Sequence, residues 1–261
     1  MSYLFQTWNE PVTLLEENNL TFPFHLHKTA ELVIVQEGSM SITISNQKYL
    51  LHEGNLLVIF PGQLHEYNSH ATGSKSYIII FDITTFPEYT VQFKQFHPSN
   101  PFVPGYLLNE DVFLAVERLY TPSITPNLKA AWLNLILAHI FPVLHLEKNT
   151  ENNDTHLISR IIEYLSIHFT EPVTLDILAR EMHINKFHLS HTFADKFHSS
   201  LTEYLNKLRV EKATRLLTTT NYSIEKAGAL SGFETQRTFN RVFKSQTGLT
   251  PSAYRKKYMK P

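Results

Sequence analysis

Between residues 21 and 82 the apolar positions come in short runs: TFPFHL, ELVIVQEG, MSITIS, KYLL, NLLVIF, HEYN and SYIIIFDI. Turn-like pieces such as SNQ, HEG, PGQ and HATGSK separate them. Short runs at close, regular spacing predict a small all-β sandwich or barrel. From about Asn127 the period lengthens. Leu128, Ala131, Trp132, Leu135, Ile136, His139, Ile140, Val143 and Leu144 fall at i, i+3, i+4, i+7 intervals, which predicts one long amphipathic helix to about Leu146. The stretch EKNTENND, residues 147–154, has no aliphatic or aromatic side chain and reads as a linker. Beyond it the pattern is helical throughout, beginning with Leu157, Ile158, Ile161, Ile162, Leu165 and Phe169 and stopping at Thr170-Glu171-Pro172.

The helical half contains an internal repeat. Leu175, Leu178, Ala179 and Met182 form a stripe, His183-Ile184-Asn185 a turn, and Leu189, Phe193 and Phe197 a second stripe. Further on, Ile224, Ala227 and Leu230 precede a turn at Ser231-Gly232-Phe233-Glu234, and Phe239 and Phe243 follow, 50 residues after Leu189 and Phe193. Leu201, Tyr204, Leu205, Leu208, Ala213, Leu216 and Leu217 mark a helix in the interval. A short helix, a tight turn and a longer helix make a helix-turn-helix unit, whose second helix enters the major groove of DNA. Helical hairpins of this length also occur in ordinary bundles, so spacing alone does not decide.

Charge does change the picture. Over the whole chain 23 Lys and Arg nearly cancel 24 Asp and Glu. Residues 1–150 hold 7 basic against 13 acidic side chains, a net of −6, and residues 172–261 hold 15 against 7, a net of +8. A basic helical module beside an acidic one points to nucleic acid as the partner of the second half. The absence of cysteine excludes a thiol nucleophile, a CxxC motif and a Cys-type zinc site, and favours a reducing compartment. The N-terminal sequence has no signal-peptide pattern, and no run of about 18 apolar residues occurs, so the expectation is a cytoplasmic protein without a membrane partner.

The segment from Ala229 to Arg255 closely resembles the signature of the AraC/XylS family of transcription regulators. The match includes Gly232-Phe233, Phe239, Arg241, Phe243-Lys244, Gly248, Pro251 and Tyr254-Arg255, and it extends back through LAREMHINKFHLSHTFADKF over about 100 residues. The first unit departs from the pattern at His183 and His198, where Gly is frequent, and at His191, where Arg is frequent. The resemblance implies promoter DNA and RNA polymerase as partners, and activation as the outcome. By position, base or phosphate contacts are expected from Asn185, Lys186, Phe187, Ser190 and His191 on the first recognition helix, and from Thr235, Gln236, Arg237, Asn240, Arg241 and Lys244 on the second. The two recognition helices are expected roughly 34 Å apart, one turn of DNA.

In the first half, His25-Leu-His27 followed by Glu31 and Gly38, and then Gly54, Pro61-Gly62, His65 and Asn68, resemble the two short motifs of cupin barrels, with the second motif's Pro-x-Gly contracted to Pro-Gly. Barrels of this kind commonly precede an AraC-type DNA-binding half and sense sugars, which makes a carbohydrate the first expectation for an effector. The residues themselves leave three readings open. His25, His27, Glu31 and His65 suit a divalent metal in an enzyme. The same groups suit a metal-free effector pocket with Tyr49, Phe60, Tyr67 and Tyr77 as walls. They also suit a satisfied polar patch at a barrel mouth.

The expectation taken forward is a two-domain regulator that is not an enzyme and needs no cofactor. Residues 1–150 form a cupin or jelly-roll-like barrel with trailing helices that binds an effector through His25, His27, Glu31, His65 and Tyr77 and dimerises through the long helix. Residues 155–261 form an all-α DNA-binding domain with two helix-turn-helix motifs joined by a helix. The alternative is a metal-dependent cupin enzyme with a helical appendage. No nucleophile elbow, HExxH or phosphate-cradling glycine loop is present to suggest other catalysis.

Overall fold

The computed structural model describes residues 10–149 and 153–259, without the side chains of 70–72 and 153–156. The chain divides into two compact units, one within residues 6–151 and the other containing residues 152–261.

The first unit is a curled antiparallel sheet backed by helices. Its strands are β1 (Val12–Asn18), β2 (Thr21–His25), β3 (Ala30–Ile44), β4 (Gln47–His52), β5 (Leu56–Ile59) and β6 (His65–Phe81). After α1 (Thr90–Gln95) come β7 (Phe96–Pro98), β8 (Phe102–Val103), α2 (Glu110–Leu119), α3 (Pro126–Ile140) and β9 (Leu146–Lys148). The main sheet runs β1-β6-β3-β5-β8, with β2 on β6 and β4 on β3, while β7 and β9 form a separate ribbon.

Two of the expected breaks between strands, one of them the expected turn HATGSK, are bends inside long strands. ELVIVQEG and MSITIS belong to the single strand β3, and HEYN and SYIIIFDI to the single strand β6, with HATGSK inside it. The two strands pair along most of their length, with register shifts between Val35 and Glu37 and between Gly38 and Met40. Gly38, at φ +74°, permits the bend: a Cβ there would lie 2.1 Å from Gly73 O. A glycine bend of this kind carries the same sequence signal as a loop.

Strand β3 is buried on both faces. Leu32 and Ile34 join Leu56, Val58, Phe60, Ile79 and Phe81 in a core shared with α2 and α3, whereas Glu31, Val33 and Val35 alternate to the opposite face. The long helix ends at Ile140 and not near Leu146, because Pro142 follows in a short 3₁₀ turn, Phe141–Val143. Its buried side chains are Leu133, Ile136, Leu137 and Ile140, so much of its apolar surface is covered by its own unit. Leu128 and Ala131, from the expected stripe, are exposed. Of the expected linker, Glu147 and Lys148 lie in β9, Asn153 and Asp154 open the next helix, and 150–152 fall outside the described residues.

The second unit consists of α4 (Asn153–His168), α5 (Leu175–Met182), α6 (Lys186–Phe197), α7 (Leu201–Thr219), α8 (Ile224–Leu230), α9 (Gln236–Thr247) and α10 (Pro251–Tyr258). The helices from α5 to α10 each start at a Ser, Thr or Asn whose side chain accepts a backbone N–H: Thr174, Asn185, Ser200, Ser223, Thr235 and Thr250. Ser200 and Glu203 complete a reciprocal capping box on α7.

The repeat at an offset of 50 extends beyond the apolar stripes. Phe193 meets Tyr204 edge-on at 5.5 Å and 77°, and Phe243 meets Tyr254 at 5.4 Å and 89°. The caps Asn185 and Thr235, and the left-handed helix ends His198 and Gly248, keep the same offset. Leu230, expected in the apolar stripe of α8, is exposed. Arg255 donates to Leu217 O (3.2 Å) and Tyr222 O (2.6 Å), so this residue of the signature ties α10 to the last turn of α7 and to the segment after it.

Candidate functional site

Each unit presents one concentration of polar chemistry. In the first it is buried. His25 ends β2, His27 lies in the loop after it, Glu31 is near the start of β3, and His65 opens β6 directly opposite His25. All four are almost wholly buried. The ring centroids of His25 and His65 are 4.0 Å apart, those of His27 and His65 5.1 Å, and those of His25 and His27 5.9 Å. Four polar side chains in an apolar interior impose a desolvation cost that the fold itself does not require.

Backbone carbonyls orient these rings. His25 Nδ1 donates to Pro23 O (2.9 Å) and His65 Nδ1 to Gln63 O (2.8 Å). His27 Nδ1 lies 2.9 Å from both Thr29 O and Thr29 Oγ1, and its Nε2 donates to Glu31 Oε2 at 2.8 Å. Tyr67 Oη donates to Glu31 Oε1. Burial raises the Glu31 pKa, but the hydrogen bond from His27 and the proximity of His65 outweigh it and hold the carboxyl well below the usual carboxylate range. Burial, reinforced by the neighbouring imidazoles, pushes His25 and His65 below the ordinary histidine value. At neutral pH the set is therefore an ionised carboxylate facing neutral imidazoles at His25 and His65.

The structure brings His25, His27, Glu31 and His65 together and places Tyr77 elsewhere. Tyr77 stacks on Tyr120 at 3.7 Å and 14° and packs against the core shared with α2 and α3. Between Ser69 and Ser74, β6 carries three more residues than the facing part of β3, which reverses the faces to which its side chains point. Tyr67, before this bulge, shares the face of His65 and joins the cluster through Glu31. Of the other expected walls, Phe60 belongs to the apolar core. Tyr49 lines an open surface groove of about 500 Å³ together with Asn46, Gln47, Gln63, His97 and Glu147. The groove gathers residues from the β3–β4 hairpin, from the loop before β6 and from the β7–β9 ribbon, which are far apart in sequence, so apart from Tyr49 no local pattern marks it.

In the second unit the polar chemistry is exposed. On α9, Arg237, Asn240, Arg241 and Lys244 face solvent opposite the buried Phe239, Val242 and Phe243. Gln236 donates to Asn240 Oδ1 at 3.0 Å, and Thr235 caps the helix. Arg237, Arg241 and Lys244 form no ion pair among the described residues.

The corresponding surface of α6 differs. Phe187, Ser190 and His191 are exposed, Phe187 to 84%. Asn185 caps the helix and accepts from Phe187 N at 2.7 Å. Lys186 pairs with Asp176 at 2.8 Å and Lys196 with Asp195 at 2.9 Å. No helix among the described residues is long and apolar enough to cross a membrane.

Two family profiles match the chain in succession. The sequence profile of the AraC-like ligand binding domain matches residues 12–161, and that of a helix-turn-helix domain matches residues 178–257. The transcriptional activator RhaR of Pectobacterium carotovorum is 24% identical over 91% of this chain and 87% of its own length. The arabinose operon regulatory protein of Salmonella typhimurium is 26% identical, over 84% of this chain and 80% of its own. Among solved structures, ToxT of Vibrio cholerae shares the fold with a TM-score of 0.59 at 12% identity, covering 96% of this chain and 100% of that one. The relatives named here are transcription regulators, and the first profile alone spans more than half of the sequence. The chain belongs to the AraC/XylS family of transcription regulators, with a ligand-binding domain followed by a DNA-binding helix-turn-helix domain.

Proposed function

We infer that this regulator is an activator that binds a small polar effector in its first domain, residues 1–150, and promoter DNA through both recognition helices of residues 155–261. The observation that carries the DNA half of this reading is the exposed α9 face, with three cations and no acidic residue in the helix. Arg237 and Arg241 suit guanine edges or phosphates, and Gln236 and Asn240 suit adenine. On α6 the reading assigns contacts to Lys186, Phe187, Ser190 and His191, with Asn185 at the helix start. Asn185 and Thr235 also cap their helices, so their contribution includes holding backbone N–H groups in place.

For the effector half, the buried set of His25, His27, Glu31 and His65, joined by Tyr67, is the polar floor of the domain. Tyr77 is not part of it. The groove lined by Tyr49, Gln47, Gln63 and Glu147 offers an aromatic ring beside amide and carboxylate groups, a combination suited to sugar hydroxyls. The name of the arabinose relative favours the same class. Effector binding acts by preferring one of two states of the regulator, since equal affinity for both shifts nothing. Homodimerisation belongs to this reading: Phe113 and Leu114 on α2 and Leu128 on α3 expose apolar side chains, while Ile140 is buried and is not an interface residue. Contact with RNA polymerase completes activation.

The test is DNA binding by Arg241→Ala and Gln236→Ala. Each substitution is expected to weaken binding to the selected site by about 1–3 kcal/mol and non-specific binding much less. Equal weakening of both reassigns the side chain to phosphate contact.

A further inference from the structure

The two recognition units differ in the kind of positive charge they carry, and the difference follows the register of the repeat. Residues 174–200 hold three basic and three acidic side chains together with four histidines, His183, His188, His191 and His198. Residues 224–250, the same stretch displaced by 50 positions, hold four basic and two acidic side chains and no histidine. With its imidazoles neutral the first unit thus has no formal charge, and each proton it gains adds a positive one. The second unit is positive throughout the physiological range.

His191 stands where the second unit has Arg241. Both are exposed, and each lies between two buried residues of its helix, Leu189 and Phe193 on α6, Phe239 and Phe243 on α9. His188, also exposed, is three residues earlier and shares that face of α6. The two lysines of α6 are held at 2.8 Å by Asp176 and at 2.9 Å by Asp195. The charge that this face can add is therefore that of its imidazoles. Histidine is the side chain whose charge ordinarily changes between about pH 5 and 8. A phosphate beside it favours the charged form, so contact with DNA draws a proton onto the ring, and by reciprocity a lower pH strengthens the contact.

On the reading above, in which both recognition helices meet DNA, we propose that His191, assisted by His188, makes the grip of the first unit proton-dependent. Its imidazole takes up a proton as it meets a backbone phosphate, and the unit turns from a neutral into a cationic clamp as pH falls through the histidine range. Once both are protonated, His188 and His191 repel each other, which limits the uptake to about one proton per chain.

The acidic groups around α6 leave this charge to the DNA. Asp195, one turn after His191, is the competing anion, and Lys196, with His191 and His198 as lesser influences, holds its carboxyl below the usual carboxylate range. On α5, Asp176 pairs with Lys186 and Glu181 with Arg180 at 3.8 Å. At the start of α7, Glu203 accepts from the backbone and hydroxyl of Ser200, with Lys207 nearby. Further along α7, burial pushes the Glu211 carboxyl up to about 7, so this group titrates in the same range and requires its own control.

The experiment measures the affinity of the full chain for a duplex selected from a random pool, by fluorescence anisotropy from about pH 7.5 to about pH 6.0 at several salt concentrations. Affinity is expected to rise about 10-fold over this range, and the slope of log affinity against log salt to steepen by about 1 at the lower pH. His191→Gln is expected to remove most of the rise and the steepening, and His188→Gln a smaller share. His191→Arg is expected to bind at the higher pH as tightly as the wild-type chain does at the lower, and to gain nothing more on acidification. Glu211→Gln and the exposed His52→Gln of the first domain are expected to keep the full response. All the substituted histidines are exposed, and unchanged melting temperatures at the higher pH show that the variants are folded.

An affinity that does not respond to pH overturns the inference and leaves DNA binding by the two units standing. A rise that survives His191→Gln combined with His188→Gln, or that disappears in Glu211→Gln, also overturns it. If no duplex is selected at any pH, the DNA-binding reading fails together with it.

Discussion

The two helix-turn-helix units share a length, an offset and an aromatic lock, yet differ at every position where glycine or charge matters. The first closes both of its turns with histidine in the left-handed region, His183 at φ 58° and His198 at φ 48°. The second uses Gly232 at φ 93° and Gly248 at φ 73°. The first pairs both lysines of its recognition helix with aspartates, while the second leaves three cations unpaired among the described residues. The geometry of the motif is thus preserved by apolar packing and capping, and electrostatic grip varies independently of it. On the function proposed above, the second unit supplies attraction to phosphate, and the first offers an aromatic ring, Phe187, and polar side chains.

The largest effect that sharpens this contrast comes from Gly232. A Cβ there would lie 2.6 Å from Thr170 Cα and 2.8 Å from Thr170 O, in addition to the strain of its positive φ. Gly232→Ala is expected to destabilise the DNA-binding unit by about 2–4 kcal/mol in denaturant unfolding. A cost below about 1 kcal/mol shows that the turn relaxes freely.

A smaller effect comes from the helix that joins the units. Burial pushes the Glu211 carboxyl up to about 7. Because the folded state holds this proton more tightly than the unfolded chain, its contribution to stability is present below about pH 4.5 and is lost as pH rises through 7. Glu211→Gln is therefore expected to stabilise the unit by about 1–2 kcal/mol at pH 8 and by almost nothing at pH 4.5. Equal gains at both pH values rule out titration as the cause. The smallest expected change is in the first unit. His183→Gly and His198→Gly each relieve a left-handed residue against the greater freedom of glycine in the unfolded chain, for a gain of about 0.5 kcal/mol. A loss on either substitution shows that the imidazole makes contacts worth more than the relief.

Much of the second unit was legible in the sequence because its helices announce themselves locally. Capping residues stand at their starts, apolar stripes have a helical period, and the Phe239 and Phe243 stripe repeats that of Leu189 and Phe193. The sheet was less legible because bends imitate turns. Gly38 and the HATGSK segment interrupt the apolar pattern of β3 and β6 without ending either strand.

The same irregularity separated the expected site from the observed one. Tyr67 is two residues from His65 on the same strand, a spacing that marks it as a neighbour, but Tyr77 follows an odd number of extra residues and turns to the opposite face. Helix α2 carries a local signal as plain as those of the second unit, with the cap Asn109, the acidic first-turn residues Glu110 and Asp111 and a stripe of Val112, Ala115, Val116 and Leu119, although it was not among the expected elements; α3 is apolar enough on several sides that its period does not select one face. Leu133 and Leu137 are buried there, whereas Leu128 is exposed. His25 and His27 were paired as strand neighbours. The structure brings His27 into place by a loop, through Thr29, because β2 ends at His25.

Two helix-turn-helix units of the same shape are expected to contribute unequally to electrostatic attraction, and the salt dependence of DNA binding measures this directly. Affinity for a selected duplex, followed from low to moderate salt, is expected to fall steeply for the wild-type chain. Arg237→Ala with Arg241→Ala is expected to reduce the slope of log affinity against log salt by about 2, and Lys186→Ala with Lys196→Ala by less than about 1. Equal reductions, or a greater one from the lysine pair, contradict the account.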